Sequence, residues 1–157
     1  MTTLAFAALT MWCAALTVFD LRARRLPNGL TGSGALTVLG YAFLTENFLA
    51  ALLGALLLSA PYLLVHLAAP AALGAGDVKL AVMLGGAAAL GGAQPWVWAA
   101  LGAPALTACA ALGALARRGV FAARSAGPGN SPVTVPHGPA MCLATVLALL
   151  SSALNST

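Results

Sequence analysis

The chain has 157 residues, room for one domain; 61% of them are hydrophobic and only 6% charged, against roughly 25% charged in an ordinary soluble domain. Ten charged side chains cannot cover a water-facing surface of this size, so the solvent for most of the chain is lipid. The net charge of +4 would suit a nucleic-acid binder, but the basic residues sit only at the ends of apolar stretches, and no nucleic-acid partner is expected.

Residues 1–19, 26–45, 47–76, 80–116 and 125–157 contain no Asp, Glu, Lys or Arg, and a spanning helix needs about 20 mostly apolar residues. The first predicted helix runs near 3–20. Its basic cluster, Arg22, Arg24 and Arg25, follows the apolar core instead of preceding it, which argues for a retained helix and against a cleaved signal peptide. A second helix near 30–45 ends at a short turn holding Glu46 and Asn47, where a solvated turn residue accounts for the acid. The third, near 48–67, carries His66 and gives way to Pro70, Gly74 and Gly76, which break the helical pattern.

The fourth helix opens at Asp77 and runs to about 91, where Gly91-Gly92-Ala93-Gln94-Pro95 marks a turn. The fifth, near 96–116, begins with Trp96 and Trp98, as expected of an aromatic belt at an external interface. Arg117, Arg118 and Arg124 follow it, then a Gly/Pro/Ser-rich loop to about Pro136 and a last helix near 138–154. The expected fold is therefore an all-α polytopic membrane protein of about six transmembrane helices, a single domain over 1–157. With the N-terminus outside, all seven basic residues fall on one side, which the positive-inside rule makes cytoplasmic. Cys13, Cys109 and Cys142 stand singly in apolar segments, as small buried hydrophobes with no zinc or disulfide framework implied.

Three acidic residues are few enough for each to be informative. Asp20 ends the first helix and Asp77 opens the fourth, so this topology sets both at one depth near the cytoplasmic interface. Ionisable groups at membrane depth are costly and mark functional sites by default. Two carboxylates in contact hold one shared proton, an arrangement that suits peptide hydrolysis: one acts as base on a water and the protonated partner polarises the carbonyl. Structural roles compete with that reading. Asp77 is well placed as a helix cap, and Asp20 is spaced to pair with Arg24.

The sequence around the two acids is more specific. Gly74-Ala75-Gly76-Asp77-Val78-Lys79-Leu80 resembles the GxGDxK motif of the type IV prepilin peptidases, a branch of the GxGD membrane aspartic proteases. Asp20-Leu21-Arg22-Ala23-Arg24-Arg25-Leu26-Pro27-Asn28 resembles that family's second signature, an Asp followed by a basic stretch and an Ile/Leu-Pro-Asn turn. Val135-Pro136-His137-Gly138-Pro139 is similar to its Pro-aromatic-Gly-Pro entry into the last helix, with His in place of the aromatic residue. The three stand in family order over nearly the whole chain.

The resemblance implies that Asp20 and Asp77 are the catalytic pair, with no cofactor and no metal. Gly74 and Gly76 would let the backbone bend and approach substrate closely. Lys79 lies about 200° around an ideal helix from Asp77, so either snorkelling to the interface or a catalytic role is open to it. Pro27 and Asn28 are expected to shape the turn into the second helix. His66 is expected to be a satisfied structural residue; His137 is left open between metal, relay and structural roles.

The implied substrate is a type IV pilin-like, pseudopilin-like or Tad-type precursor, cut at the cytoplasmic face of the cell (inner) membrane. The cytoplasmic domain with paired CxxC motifs that bifunctional relatives carry has no counterpart here, so methyltransferase activity and a methyl donor are not expected. Two other classes are kept beside the peptidase: a catalytically inactive pilus or secretion assembly factor, and a small transporter using the acids as proton or cation sites.

Overall fold

The computed structural model describes residues 2–23, 27–70, 73–122 and 137–155. Its elements are six helices: α1 (Thr3–Ala23), α2 (Asn28–Leu44), α3 (Phe48–Ala68), α4 (Ala75–Ala89), α5 (Ala93–Ala122) and α6 (Gly138–Asn155). There is no strand among the described residues. All six expected helices are present, and the chain is an all-α polytopic membrane protein. Arg24, Arg25, Leu26 and the whole 123–136 segment, with Arg124, Val135 and Pro136, lie outside the described residues.

Four of the helices, α1, α3, α5 and α6, are long and apolar enough to cross a bilayer. The other two are shorter, although α2 with 17 residues and α4 with 15 are about as long as the sequence suggested. At about 1.5 Å per residue, α2 and α4 reach about 25 Å and about 22 Å, short of a hydrocarbon core of about 30 Å. For α4 the shortness carries little penalty, because α2, α3, α5 and α6 pack around it and eight of its fifteen residues are buried. Its surroundings are protein more than lipid.

Successive helices run in opposite directions, and contacts at each end fix the order. At one end the Thr2 amide donates to the Tyr41 hydroxyl (3.2 Å), joining the start of α1 to the end of α2. At the other end lie the close of α1, the starts of α2 and α4, and the entry to α6. Glu46 closes α2 with φ = 59°. The Asn47 and Glu46 amides reach back to the Ala42 and Phe43 carbonyls (2.8 and 3.2 Å), a Schellman ending in which a left-handed residue is usually glycine.

On α3 most large side chains face outward, Leu58 excepted, and small ones face inward. Leu53, Leu56, Leu57, Leu63, Leu64 and Leu67 of α3 are all exposed, while Ala51, Gly54, Ala55 and Ser59 of the same helix are buried. Lipid tails are as apolar as leucine, so burying Leu gains nothing; small residues gain close van der Waals approach. A Cβ built on Gly54 would lie 2.7 Å from the Gly85 carbonyl oxygen, and one on Gly86 3.3 Å from the Ala51 carbonyl oxygen. The α3 and α4 backbones therefore touch.

Trp96 departs from the interfacial-belt expectation. It packs against the buried core, and its indole N–H donates to the Gly54 carbonyl (3.0 Å), tying α5 to α3. Trp98 is exposed, as a belt residue should be.

Gly85→Ala should lower stability by about 1–3 kcal/mol, because its new methyl meets the α3 backbone, which cannot yield. Gly40→Ala, in the middle of α2 with nothing within 4 Å of the new methyl, should instead gain up to about 1 kcal/mol from helix propensity. Thermal unfolding of both variants in one detergent checks the pair: a Gly85→Ala protein as stable as wild type would contradict the backbone contact.

Candidate active site

Asp77 occupies the third position of α4, after Gly74 as N-cap. Its own amide donates to the Gly74 carbonyl (3.1 Å), and the Gly74 backbone amide is directed at its carboxyl. That is the returning half of a capping box, in which an acid at the third position serves the cap residue's N–H. Asp20 sits in the last turn of α1 and is only 9% exposed. The α1–α6 contact brings it there: Leu16 and Met141 are buried, and the Cys13 and Cys142 thiols meet across the two helices.

The first residue of α6, Gly138, then lies against the carboxyl. A Cβ built on Gly138 would stand 2.7 Å from Asp20 Oδ2 and 3.3 Å from its Cγ, and the Gly138 backbone amide is directed at the carboxyl. Asp20 Oδ2 itself is buried without a partner of hydrogen-bonding geometry among the described residues.

The two carboxyls are within electrostatic reach of each other. Each also stands at the positive end of a helix, Asp77 in the first turn of α4 and Asp20 against the first turn of α6, where backbone N–H groups have no intrahelical acceptor.

The remaining expected residues arrange themselves around this pair in a supporting way. Pro27 is the N-cap of α2 in extended conformation, and its carbonyl accepts from the Leu30 and Thr31 amides (3.0 and 3.1 Å). Asn28 follows, and its Oδ1 accepts a 2.7 Å hydrogen bond from Lys79 Nζ. Lys79 is exposed, so it does snorkel, but toward the start of α2, where it joins the two sequence motifs directly. Gly74 is extended (φ −73°, ψ 149°), and neither it nor Gly76 takes a positive φ. The expected bend therefore needs no conformation reserved to glycine. His66 Nδ1–H donates to the Leu73 carbonyl (2.7 Å), and the ring pins the segment leading into α4 to α3.

Three side chains that the sequence did not single out for the site, or left open, form a chain beside it. His137, immediately before Gly138, bonds through Nε2 to the Tyr62 hydroxyl of α3 (3.0 Å) and through Nδ1 to Thr107 Oγ1 of α5. The Tyr62 and His137 rings also stack, tilted, with centroids 5.5 Å apart. Tyr62 is within electrostatic reach of Asp77. Both rings line the floor of an apolar groove of about 450 Å³ between α3 and α5, walled by Pro61, Val65, Trp96, Leu101 and Pro104. A tyrosine in an apolar helix carries no signal of such a role in the sequence, and the partner segment, Pro-His-Gly-Pro, drew attention through its glycine and prolines.

Burial lowers the proton affinity of His137 below its ordinary value, because desolvation disfavours the imidazolium. The sign follows from linkage: below about pH 6.5 the unfolded chain takes up a proton that the folded site refuses, so this residue's contribution to stability falls as pH falls. Thermal midpoints of wild type and His137→Phe, measured from pH 8 to pH 5, should diverge below about pH 6.5, wild type losing more. Parallel curves would contradict a neutral buried imidazole.

The chain was compared with known proteins. The type IV leader peptidase family model matches residues 7–116, a stretch that includes Asp20, Pro27, Asn28, Gly74, Gly76, Asp77 and Lys79 and stops short of His137 and α6. No curated protein matches, and no solved structure does.

Proposed function

The chain belongs to the type IV leader peptidase family, and from that premise we propose that it is a membrane aspartic endopeptidase whose catalytic pair is Asp20 and Asp77. The observation that carries this is the convergence of those two acids, from helices 57 residues apart in sequence, at one end of the bundle within electrostatic reach. The peptidase needs a base and an acid on one water. Asp20 Oδ2, buried and without a partner, is the oxygen best placed to accept a proton from that water. Asp77, in its acid form, polarises the scissile carbonyl, and attack gives a tetrahedral intermediate that collapses as the leaving amine is protonated.

The substrate class is a prepilin-like precursor, whether pilin, pseudopilin or Tad-type, whose apolar helix lies in the same bilayer and whose leader is cut at the cytoplasmic face. Support for that face comes from charge. Among the described residues Arg22, Lys79 and Arg117 stand at the same end of the bundle as the two acids, at the close of α1, the start of α4 and the distal part of α5. Basic residues at membrane helix ends favour the cytoplasm, which puts the N-terminus outside. The site at a helix end also reconciles the two needs of the reaction, since water reaches the interface and the substrate stays in lipid.

Purified protein in lipid, given a precursor from its own genome, should release the leader. Asp20→Asn and Asp77→Asn should each lower the rate by at least about a hundredfold, the scale of acid–base catalysis, with thermal midpoints retained. Full cleavage by either variant would sink the aspartic mechanism. Gly138→Ala is a subtler probe, because its methyl displaces the Asp20 carboxyl and little else. It should cost about ten- to a hundredfold in kcat, as misplacement by about an ångström does, and an unimpaired Gly138→Ala enzyme would show that Asp20 need not sit where it does.

A further inference from the structure

The helices around α4 leave two apolar grooves, and the two differ in where they lead. One, of about 420 Å³, lies between α1 and α2 and is lined by Leu4, Tyr41 and Leu90. The innermost α1 residue lining it is Trp12, whose indole N–H donates to the Leu30 carbonyl (3.0 Å) and ties α1 to α2. Asp20 lies eight residues farther along α1, about 12 Å deeper. That groove stops short of the acids.

The groove of about 450 Å³ between α3 and α5 does not. Its inner end is formed by Leu73 and His137, and each immediately precedes a glycine that lies against an acid. A Cβ on Gly138 would stand 2.7 Å from Asp20 Oδ2, and one on Gly74 would stand 3.6 Å from Asp77 Oδ2. Both walls are tied together at each end. Trp96 bridges α5 to α3 at the outer end, and His137 bonds Tyr62 of α3 and Thr107 of α5 at the inner end. Between Trp96 and Thr107 lie eleven residues of α5, about three helical turns.

The walls also carry a chemical demand. Pro61 and Pro104 stand inside α3 and α5. Neither has an N–H, so the Leu57 and Ala100 carbonyls, four residues back, lose their helical donors. All four residues line this groove. The hydroxyls of Ser59 and Thr107 donate elsewhere, to the Leu56 and Ala103 carbonyls. A backbone acceptor at membrane depth has to be met by protein or by water in a cavity. A peptide helix can bring hydroxyl donors to such carbonyls; an acyl chain brings none.

We propose that this groove docks the apolar helix of the precursor, three turns of which lie between α3 and α5, and so leads the scissile peptide past Leu73 and His137 to Asp20 and Asp77. This rests on the aspartic reading above and deepens it by naming the surface that recognises the substrate's membrane segment. Leu57 and Leu101, more than half exposed on the two walls, are its contact residues.

Photo-cross-linking tests the docking directly. Benzoylphenylalanine is placed singly at Leu57 and Leu101, at Leu56, which is comparably exposed on α3 but outside the groove, and at Leu4 in the other groove. The Asp77→Asn background keeps bound precursor from being consumed, and the protein is held in lipid with a precursor from its own genome. Positions 57 and 101 should give precursor adducts severalfold above positions 56 and 4. In the active enzyme, Leu57→Trp and Leu101→Trp should each raise KM by about tenfold with kcat within about twofold, as when binding alone is lost. Leu56→Trp should leave both unchanged.

Adducts from 57 and 101 with lipid alone or within the chain itself, or precursor adducts chiefly from Leu4, would overturn the docking site. So would an unchanged KM in both groove variants. Those results leave the aspartic mechanism standing so long as Asp20→Asn and Asp77→Asn are inactive. Cleavage that survives both Asp substitutions would remove the aspartic reading while the cross-links still report where the precursor lies.

Discussion

How closely two backbones approach inside this bundle decides where its acids stand. The contact of α3 with α4, at Gly54 and Gly85, leaves no space for a side chain between them. Because α4 is held so tightly, its start can bring Lys79 onto Asn28 of α2. A methyl or two added at the seam would move α4 outward and carry Asp77 with it. The glycine and alanine content of the chain is thus part of the site's geometry, although none of those residues has any chemistry to offer. Lipid makes this the natural design, because only close contact, and no gain from hiding leucine, holds helices together there.

The same solvent explains how the carboxyls are housed. Within a bilayer, water is scarce as a partner for a buried polar group, and each must be met by protein. Helix N-termini supply donors that need no side chain and no further ordering. Asp77 uses the start of its own helix, a local solution written in four consecutive residues. Asp20 sits at the wrong end of α1 for that, since a helix C-terminus presents carbonyls and repels a carboxylate. Its donor has to come from elsewhere, and the entry of α6 turns the Gly138 amide toward it. Gly138 is the residue at which this becomes possible, for any side chain there would occupy the carboxyl's own space.

Helix number and approximate bounds were legible because charges and Gly/Pro turns punctuate otherwise uncharged stretches, and a bilayer sets the length between them. The two acids were legible for the same reason, being nearly the whole acidic content of the chain. Helix orientation about its own axis was not. In a soluble protein the apolar stripe tells which face is inward; here core and lipid are equally apolar, and the stripe is erased. That is why Trp96 read as a belt residue although it turns inward to Gly54. It is also why Tyr62 drew no notice, and why His137 stayed open until its two partners on α3 and α5 were visible. The sheathing of α4 was hidden too, since burial by neighbours is a property of the bundle and not of the segment.

Lys79 shows how a motif residue can matter without touching the reacting groups. Its place two residues after Asp77 turns it away from the acid, and its ammonium reaches Asn28 at the opening of α2 (2.7 Å). The bond is exposed, so its worth to stability is small. Its geometric effect is larger, because α2 begins just after the basic stretch that follows Asp20. Asp20 and Asn28 belong to one sequence motif, Asp77 and Lys79 to the other, and each motif contributes one acid and one half of the brace. A change in the separation of α1–α2 from α4 is therefore resisted at the level of the interface, away from the two acids, and among the described residues no cation pairs with either carboxyl. The proposed dyad needs that freedom: a lysine between the acids would neutralise their repulsion and remove the reason for them to share a proton. Fixing the acids from outside and keeping positive charge off the line between them are one requirement, and the two-residue offset of Lys79 from Asp77 meets it.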